Sequence, residues 1–195
     1  MSYKIPLFKL NFDEREIQAV TETIRSRWIS TGPKCEELEN LFVEMWSVKY
    51  ALSMSNCTNA LHLACILCNI KAGDEVLCPS FTFAASVNCI RYVGATPVFC
   101  DIAGFDDLNI DPDDIERNIT PKTKAIVVVH MAGFSADMDK IMSIAKKHDL
   151  KVIEDCAQCF GGYTTERWPV PSVMQDVLAF VKANTLPPVE KAEWL

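Results

Sequence analysis

Residues 124–155 read KAIVVVHMAGFSADMDKIMSIAKKHDLKVIED, and this stretch decides the fold. Lys124–His130 is a continuous β-branched run, the pattern of a strand covered on both faces rather than one. Asp137–His148 has the helical period, and Lys151–Asp155 reads as another buried strand. A strand, a helix of about a dozen residues and another strand make a parallel βαβ unit. The same alternation continues upstream. Glu75–Cys78 reads as a strand, Pro79–Thr82 as a turn, Phe83–Val93 as a helix closed by Gly94, and Thr96–Cys100 as a strand. Between them and the deciding stretch, Asp111-Pro112 has the form of an N-cap followed by proline at the first helical position. Further upstream, Tyr50–Met54 is expected to be a strand. It runs into the polar turn Ser55-Asn56-Cys57-Thr58-Asn59, with helix resuming at Ala60. Two amphipathic helices come first, Asp13–Arg27 (apolar at Ile17, Val20 and Ile24) and Cys35–Trp46, joined by the Gly-Pro loop WISTGPK. The fold class is therefore α/β: a doubly wound, mostly parallel sheet with helices on both faces and ligands expected at the carboxyl ends of the strands. From Tyr163 onward the alternation stops. That segment holds four prolines, one amphipathic stretch at Val173–Lys182 and no strand-quality run.

The composition is that of a globular chain: 195 residues, 49% hydrophobic and 23% charged. Its net charge of 19 − 26 = −7 argues against a nucleic-acid or anionic-membrane surface, which needs a concentrated positive field. No apolar run reaches the length of a bilayer span or a signal-peptide core. The expectation is a soluble, cytoplasmic protein with neither nucleic acid nor membrane as partner. Nine cysteines include two CxxC pairs, Cys65/Cys68 and Cys156/Cys159. The first lies in a helix-like apolar run, and no further Cys/His cluster completes a ligand set. Packing therefore outweighs a zinc or redox site, and no metal is expected.

Function in an open α/β sheet sits in the turns after its strands. The turn Cys57-Thr58-Asn59 leads directly into a helix, whose first amides and dipole suit an anion such as phosphate; a plain N-cap at Thr58 or Asn59 explains it equally well. In the turn Pro79–Phe83 an aromatic could stack on a planar ligand or simply fill the core. His130 ends its strand at the same edge and is more often structural than catalytic. Val152-Ile153-Glu154-Asp155 ends in two adjacent carboxylates, at least one of which faces the crevice, where it could pair with a cation. There is no Gly-x-Gly, no GxxxxGK[ST] and no Gly-x-Ser-x-Gly, which removes the dinucleotide fingerprint, the P-loop and the nucleophile elbow.

Taken in register from about Ile5 to Gly162, the segments IPLFKLNFDEREIQAV, WISTGP, SNCTNALHLA, AGDEVLCPSFTFAAS, GATPVFCDI, LNIDPDDIE, ITPKTKAIVVVHMAG and ADMDKIMSIAKKHDLKVIEDCAQ resemble the DegT-type (DegT/StrS) sugar-nucleotide aminotransferases, fold-type-I enzymes dependent on pyridoxal 5′-phosphate (PLP). The resemblance divides the chain into residues 1–162, part of a PLP-transferase large domain, and a divergent tail, 163–195. It implies that Cys57, Thr58 and Asn59 form the phosphate-binding turn, with Cys57 where glycine is usual. It further implies that Phe83 stacks on the pyridine ring, Asp155 pairs with its nitrogen, Ala157 packs on the other ring face and Gln158 lies near the ring hydroxyl. Arg27 stands where the family has glycine before the loop tryptophan. The implied reaction moves an amino group, typically from glutamate, to a keto sugar nucleotide, and the implied assembly is a homodimer.

The family's Schiff-base lysine follows the Asp by roughly thirty residues, in a Ser-Phe…Lys-Asn segment with no counterpart here. Lys182, 182 − 155 = 27 residues beyond Asp155, echoes it faintly. The resemblance therefore implies a truncated, inactive form. The alternative is a non-catalytic binding or regulatory module that pairs with a full-length paralogue.

Overall fold

The computed structural model describes residues 10–46, 48–159 and 179–180. The chain divides into two compact units, Met1–Leu52 and Ser53–Leu195.

In the first unit, α1 (Glu14–Ser26) starts at a capping box. The Asp13 side chain accepts from the Arg15 amide at 2.8 Å, and the Asp13 amide donates to Glu16 Oε2 at 2.6 Å. The helix ends at Arg27, whose φ of 61° is left-handed, so a side chain stands where glycine would be unstrained. The loop then folds on itself: Trp28 Nε1 donates to the Thr31 carbonyl at 3.0 Å. The indole packs so closely on Gly32 that a Cβ there would fall 2.1 Å from Nε1. Pro33 opens α2 (Pro33–Trp46), where Phe42 and Trp46 stack one turn apart. Neither helix buries a residue, and the apolar stripe Ile17, Val20 and Ile24 is exposed.

The second unit carries the sheet. After α3 (Cys57–Leu67), β1 (Glu75–Pro79), α4 (Ala84–Tyr92), β2 (Thr96–Cys100), α5 (Pro112–Arg117), β3 (Thr123–Val129), a single 3-10 turn (Met131–Gly133), α6 (Met138–Lys147) and β4 (Lys151–Asp155) follow in order. The strand order is β2-β1-β3-β4-β5, where β5 is Ala179–Phe180 and the first four strands are parallel. The chain steps from β1 outward to β2, then back across β1 to β3, so the winding reverses between β1 and β3. Val129 of β3 lies beside Asp155 of β4.

Strand side chains alternate between two apolar layers. Val76, Cys78, Ala125, Val127 and Ile153 pack under α3 and α4 with Leu61, Cys65, Cys89 and Ile90. Leu77, Ile126, Val128 and Val152 pack on the opposite face with Ile115 of α5 and Ile141 and Ile144 of α6. Within the run KAIVVVH, Ala125–Val129 is apolar throughout, in keeping with the cover on both of its faces. Edge strand β2 is more exposed and carries Pro97, a residue that fits at an edge.

Three expectations change. Tyr50–Met54 is not a strand. Among the described residues nothing pairs with it, Tyr50 and Leu52 are 65% and 59% exposed, and an apolar run without a ladder partner does not become a strand. Cys57, Thr58 and Asn59 form the first turn of α3 instead of a turn before it, because Asn56 is the cap: its Oδ1 accepts from the Asn59 amide at 2.9 Å. Ala179–Phe180 forms a short β5, antiparallel to β4, in a region expected to hold no strand. The division at residue 162, the rest of the Val173–Lys182 stretch and Lys182 itself lie outside the described residues.

Candidate active site

The carboxyl edge of the sheet gathers the residues that sequence singled out. Strand β4 ends in Glu154 and Asp155, and a two-residue period sends neighbours to opposite faces. Asp155 turns to the α3/α4 layer and Glu154 to the α5/α6 layer. Asp155 is 4% exposed. Its Oδ2 accepts from Ser86 Oγ of α4 at 2.7 Å, and its Oδ1 accepts from the Ala157 amide at 3.1 Å and from the Cys57 thiol at 3.6 Å. Among the described residues no lysine, arginine or histidine pairs with it. A buried carboxylate held by neutral donors alone suits a cationic ligand, because desolvation is costly to a charge without a partner.

The side chain of Cys57 reaches from the start of α3 to Asp155, joining the two expected ends of the site. The first-turn amides of α3 have no acceptor inside the helix. That of Asn59 is taken by Asn56, and Asn59 Nδ2 donates to Ser55 Oγ at 2.8 Å. Phe83 is the cap residue of α4 and 71% exposed, so its ring is not core and a ligand can reach it. Ala157 and Gln158 are exposed beyond β4. Gln158 Oε1 accepts from the Ala132 amide at 2.9 Å. Only the oxygen can face that donor, so the Gln158 NH2 remains as a donor for a ligand oxygen.

His130 follows β3 at this same edge, where its amide donates to the Asp155 carbonyl at 3.3 Å, but its side chain is not open to a ligand. It is fully buried, with Nε2 3.2 Å from Glu154 Oε2 and Nδ1 accepting from the Ala136 amide at 3.2 Å. An Nδ1 that accepts carries no proton, so Nε2–H is the donor to Glu154. Ligand atoms of His130, Glu154 and Cys156 lie within 4.8 Å of one another. That tautomer keeps a proton on the nitrogen a metal would take, so the group is a hydrogen-bonded strut between β3 and β4. Burial, followed by the nearby Glu154, holds the Cys156 thiol well above its ordinary range; burial pushes Cys78 and Cys100 up to about 12. These are protonated packing thiols.

Sequence reasoning missed Ser86 and Thr82, whose Oγ1 lies 2.9 Å from Ser86 Oγ. The available signal was a serine on the buried stripe of α4, beside Ala85, Cys89 and Ile90; a polar group there must find a partner. The arrangement can accept a cation at Asp155 and an anion at the start of α3, with an aromatic and an amide between chain segments that meet at one sheet edge.

The sequence matches the DegT/DnrJ/EryC1/StrS aminotransferase family over residues 11–170. It is 42% identical to the spore coat polysaccharide biosynthesis protein SpsC of Bacillus subtilis over 180 residues, 92% of this chain and 44% of that one. It is 45% identical to the GDP-perosamine synthase of Escherichia coli O157:H7 over 158 residues, 80% of this chain and 43% of that one. NtdA of B. subtilis, solved with its cofactor PMP bound, superposes with a TM-score of 0.73 at 33% identity, over 78% of this chain and 35% of that one. The chain thus spans less than half the length of these relatives. It belongs to the DegT/DnrJ/EryC1/StrS aminotransferase family.

Proposed function

We propose that this chain carries the cofactor-anchoring part of a PLP-dependent sugar aminotransferase site, one that moves an amino group, typically from glutamate, to a keto sugar nucleotide. The observation that carries the reading is Asp155: a buried carboxylate at the end of a central strand, held by neutral donors, with the α3 N-terminus beside it. The residues present fit the cofactor. Cys57, Thr58 and Asn59 would receive its phosphate at the positive end of α3. Asp155 would hold a proton on the ring nitrogen, Phe83 would cover one ring face and Ala157 the other, and the Gln158 NH2 would donate to the ring hydroxyl. Bound PLP would supply the electron-withdrawing ring on which amino-group transfer depends. Asp155 orients that ring and keeps its charge, while Phe83 shields it from water. By family likeness the active assembly is a homodimer. On its own, the 195-residue chain is expected to hold the cofactor without turnover, since no segment of it matches the family's lysine motif.

The test is to load the full chain with PLP, desalt it and measure the cofactor retained. Retention by the wild-type chain and by Lys182→Ala, with loss in Asp155→Ala, is expected. Equal retention in wild type and Asp155→Ala would refute the assignment. Release of 2-oxoglutarate from glutamate that depends on Lys182 would refute the absence of turnover.

A further inference from the structure

We infer that Ser86, backed by Thr82, is the positioning residue that aims the Asp155 carboxylate at the ring nitrogen of the cofactor; this rests on the function proposed above. Ser86 is fully buried in the first turns of α4, and its Oγ stands 2.7 Å from Asp155 Oδ2. A carboxylate only accepts, so the single hydroxyl proton of Ser86 is committed to Asp155. The 2.9 Å contact between Thr82 and Ser86 then has one polarity: Thr82 Oγ1–H donates to Ser86 Oγ. The result is a directed chain, Thr82 to Ser86 to Asp155, in which each donor strengthens the next.

The acceptor count shows what this does. A carboxylate offers about four lone-pair directions. Ser86 takes one on Oδ2, and the Ala157 amide and the more distant Cys57 thiol occupy Oδ1. Among the described residues nothing takes the one direction that remains, on Oδ2, the oxygen that Ser86 holds. Without Ser86 the carboxylate keeps its Oδ1 anchor but can rotate about it, and the remaining direction is no longer fixed. Thr82 and Ser86 lie on either side of Phe83, so a single turn of chain places both the hydroxyl relay and the exposed aromatic. Ser86 touches no reacting atom; it acts through Asp155.

The test compares two probes on the full chain: PLP and its 1-deaza analogue, in which a ring carbon replaces the nitrogen. Ser86→Ala is expected to weaken PLP binding by about tenfold, the lower end for a hydrogen bond to a charged group, and to change 1-deaza binding less than twofold. Thr82→Val, which keeps the shape and removes the donor, is expected to weaken PLP binding in the same nitrogen-dependent way by a smaller factor. Ser86→Thr, which keeps a hydroxyl, is expected to retain most of the discrimination. Ser86→Ala losing both probes equally, or neither, while the wild-type chain still prefers PLP, would overturn the role of Ser86 and leave the proposed function standing. A wild-type chain that binds the two probes equally would overturn the proposed function and this inference together. Should Ser86→Ala fail to fold, Thr82→Val with the same two probes decides the question.

Discussion

Replacing His130 by leucine tests whether the strut beneath the site is held by its two hydrogen bonds. The imidazole is fully buried and makes two bonds, Nε2–H to Glu154 Oε2 and Ala136 N–H to Nδ1, each 3.2 Å long. Leucine fills a similar volume, so the cavity contribution is small. The loss lies in the two partners left behind. An orphaned buried group costs about 1–3 kcal/mol, and Glu154, at the margin of burial, can recover some of this from water. His130→Leu should therefore lower unfolding stability by about 2–4 kcal/mol, read as a shift of the urea midpoint at unchanged slope by circular dichroism. Glu154→Gln supplies the control. Its amide oxygen still accepts the Nε2 proton, so the expected cost is below about 1 kcal/mol. The double change His130→Leu with Glu154→Leu should cost less than the sum of the single changes, because it removes both ends of one bond. A His130→Leu loss under about 1 kcal/mol, or a Glu154→Gln loss as large as that of His130→Leu, would refute the tautomer and the strut.

Other expectations follow from the same structure. Cys65, Cys78, Cys89, Cys100, Cys156 and Cys159 are buried, and burial raises several of their thiols. Iodoacetamide at pH 8 should therefore modify Cys35 and Cys57 in the native protein, Cys68 more slowly because burial raises its thiol too, and leave those six intact until denaturant is added, as mass spectrometry would show; early labelling of Cys156 and Cys159 would contradict the packing assignment. Arg27→Gly removes a left-handed non-glycine residue at the end of α1 and should raise stability by about 1 kcal/mol, measured by thermal or urea unfolding. Asp114 is held below its ordinary range, first by the Asp101 amide and then by Arg117. A depressed carboxylate stabilises the fold above its unfolded value, and this contribution is lost as pH falls through the folded one. Acid unfolding of Asp114→Asn should therefore depend less on pH below about 3.8, and an unchanged profile would count against that assignment.

The elements with two covered faces are readable in the sequence, since a strand such as β3 is apolar from Ala125 to Val129 whichever way a residue points. Elements that depend on a distant neighbour are not. Tyr50–Met54 has a strand's composition but no ladder partner among the described residues, while Ala179–Phe180 lacks the composition and pairs with β4. The sequence leaves the start of α3 open because three polar residues could each cap it, and only the Asn56 geometry chooses among them. The site was legible to the same degree. Two adjacent carboxylates announced a functional strand end, and the two-residue period guarantees that they part. Which of them meets α3 and α4 is set by helix packing that no local pattern encodes. Ser86 was hidden for a related reason: a serine between two apolar neighbours reads as helix filler until its partner, 69 residues away, is brought beside it.

Whether Asp155 holds a protonated pyridine nitrogen can be observed on that atom directly. PLP labelled with 15N in the ring and followed by NMR at pH 8, with each protein kept saturated by excess cofactor, should show the shift of a protonated nitrogen for the molecule bound to the wild-type protein and of a neutral one for that bound to Asp155→Ala. A bound cofactor whose nitrogen is neutral in the wild-type chain, or equally protonated in both, would contradict the account.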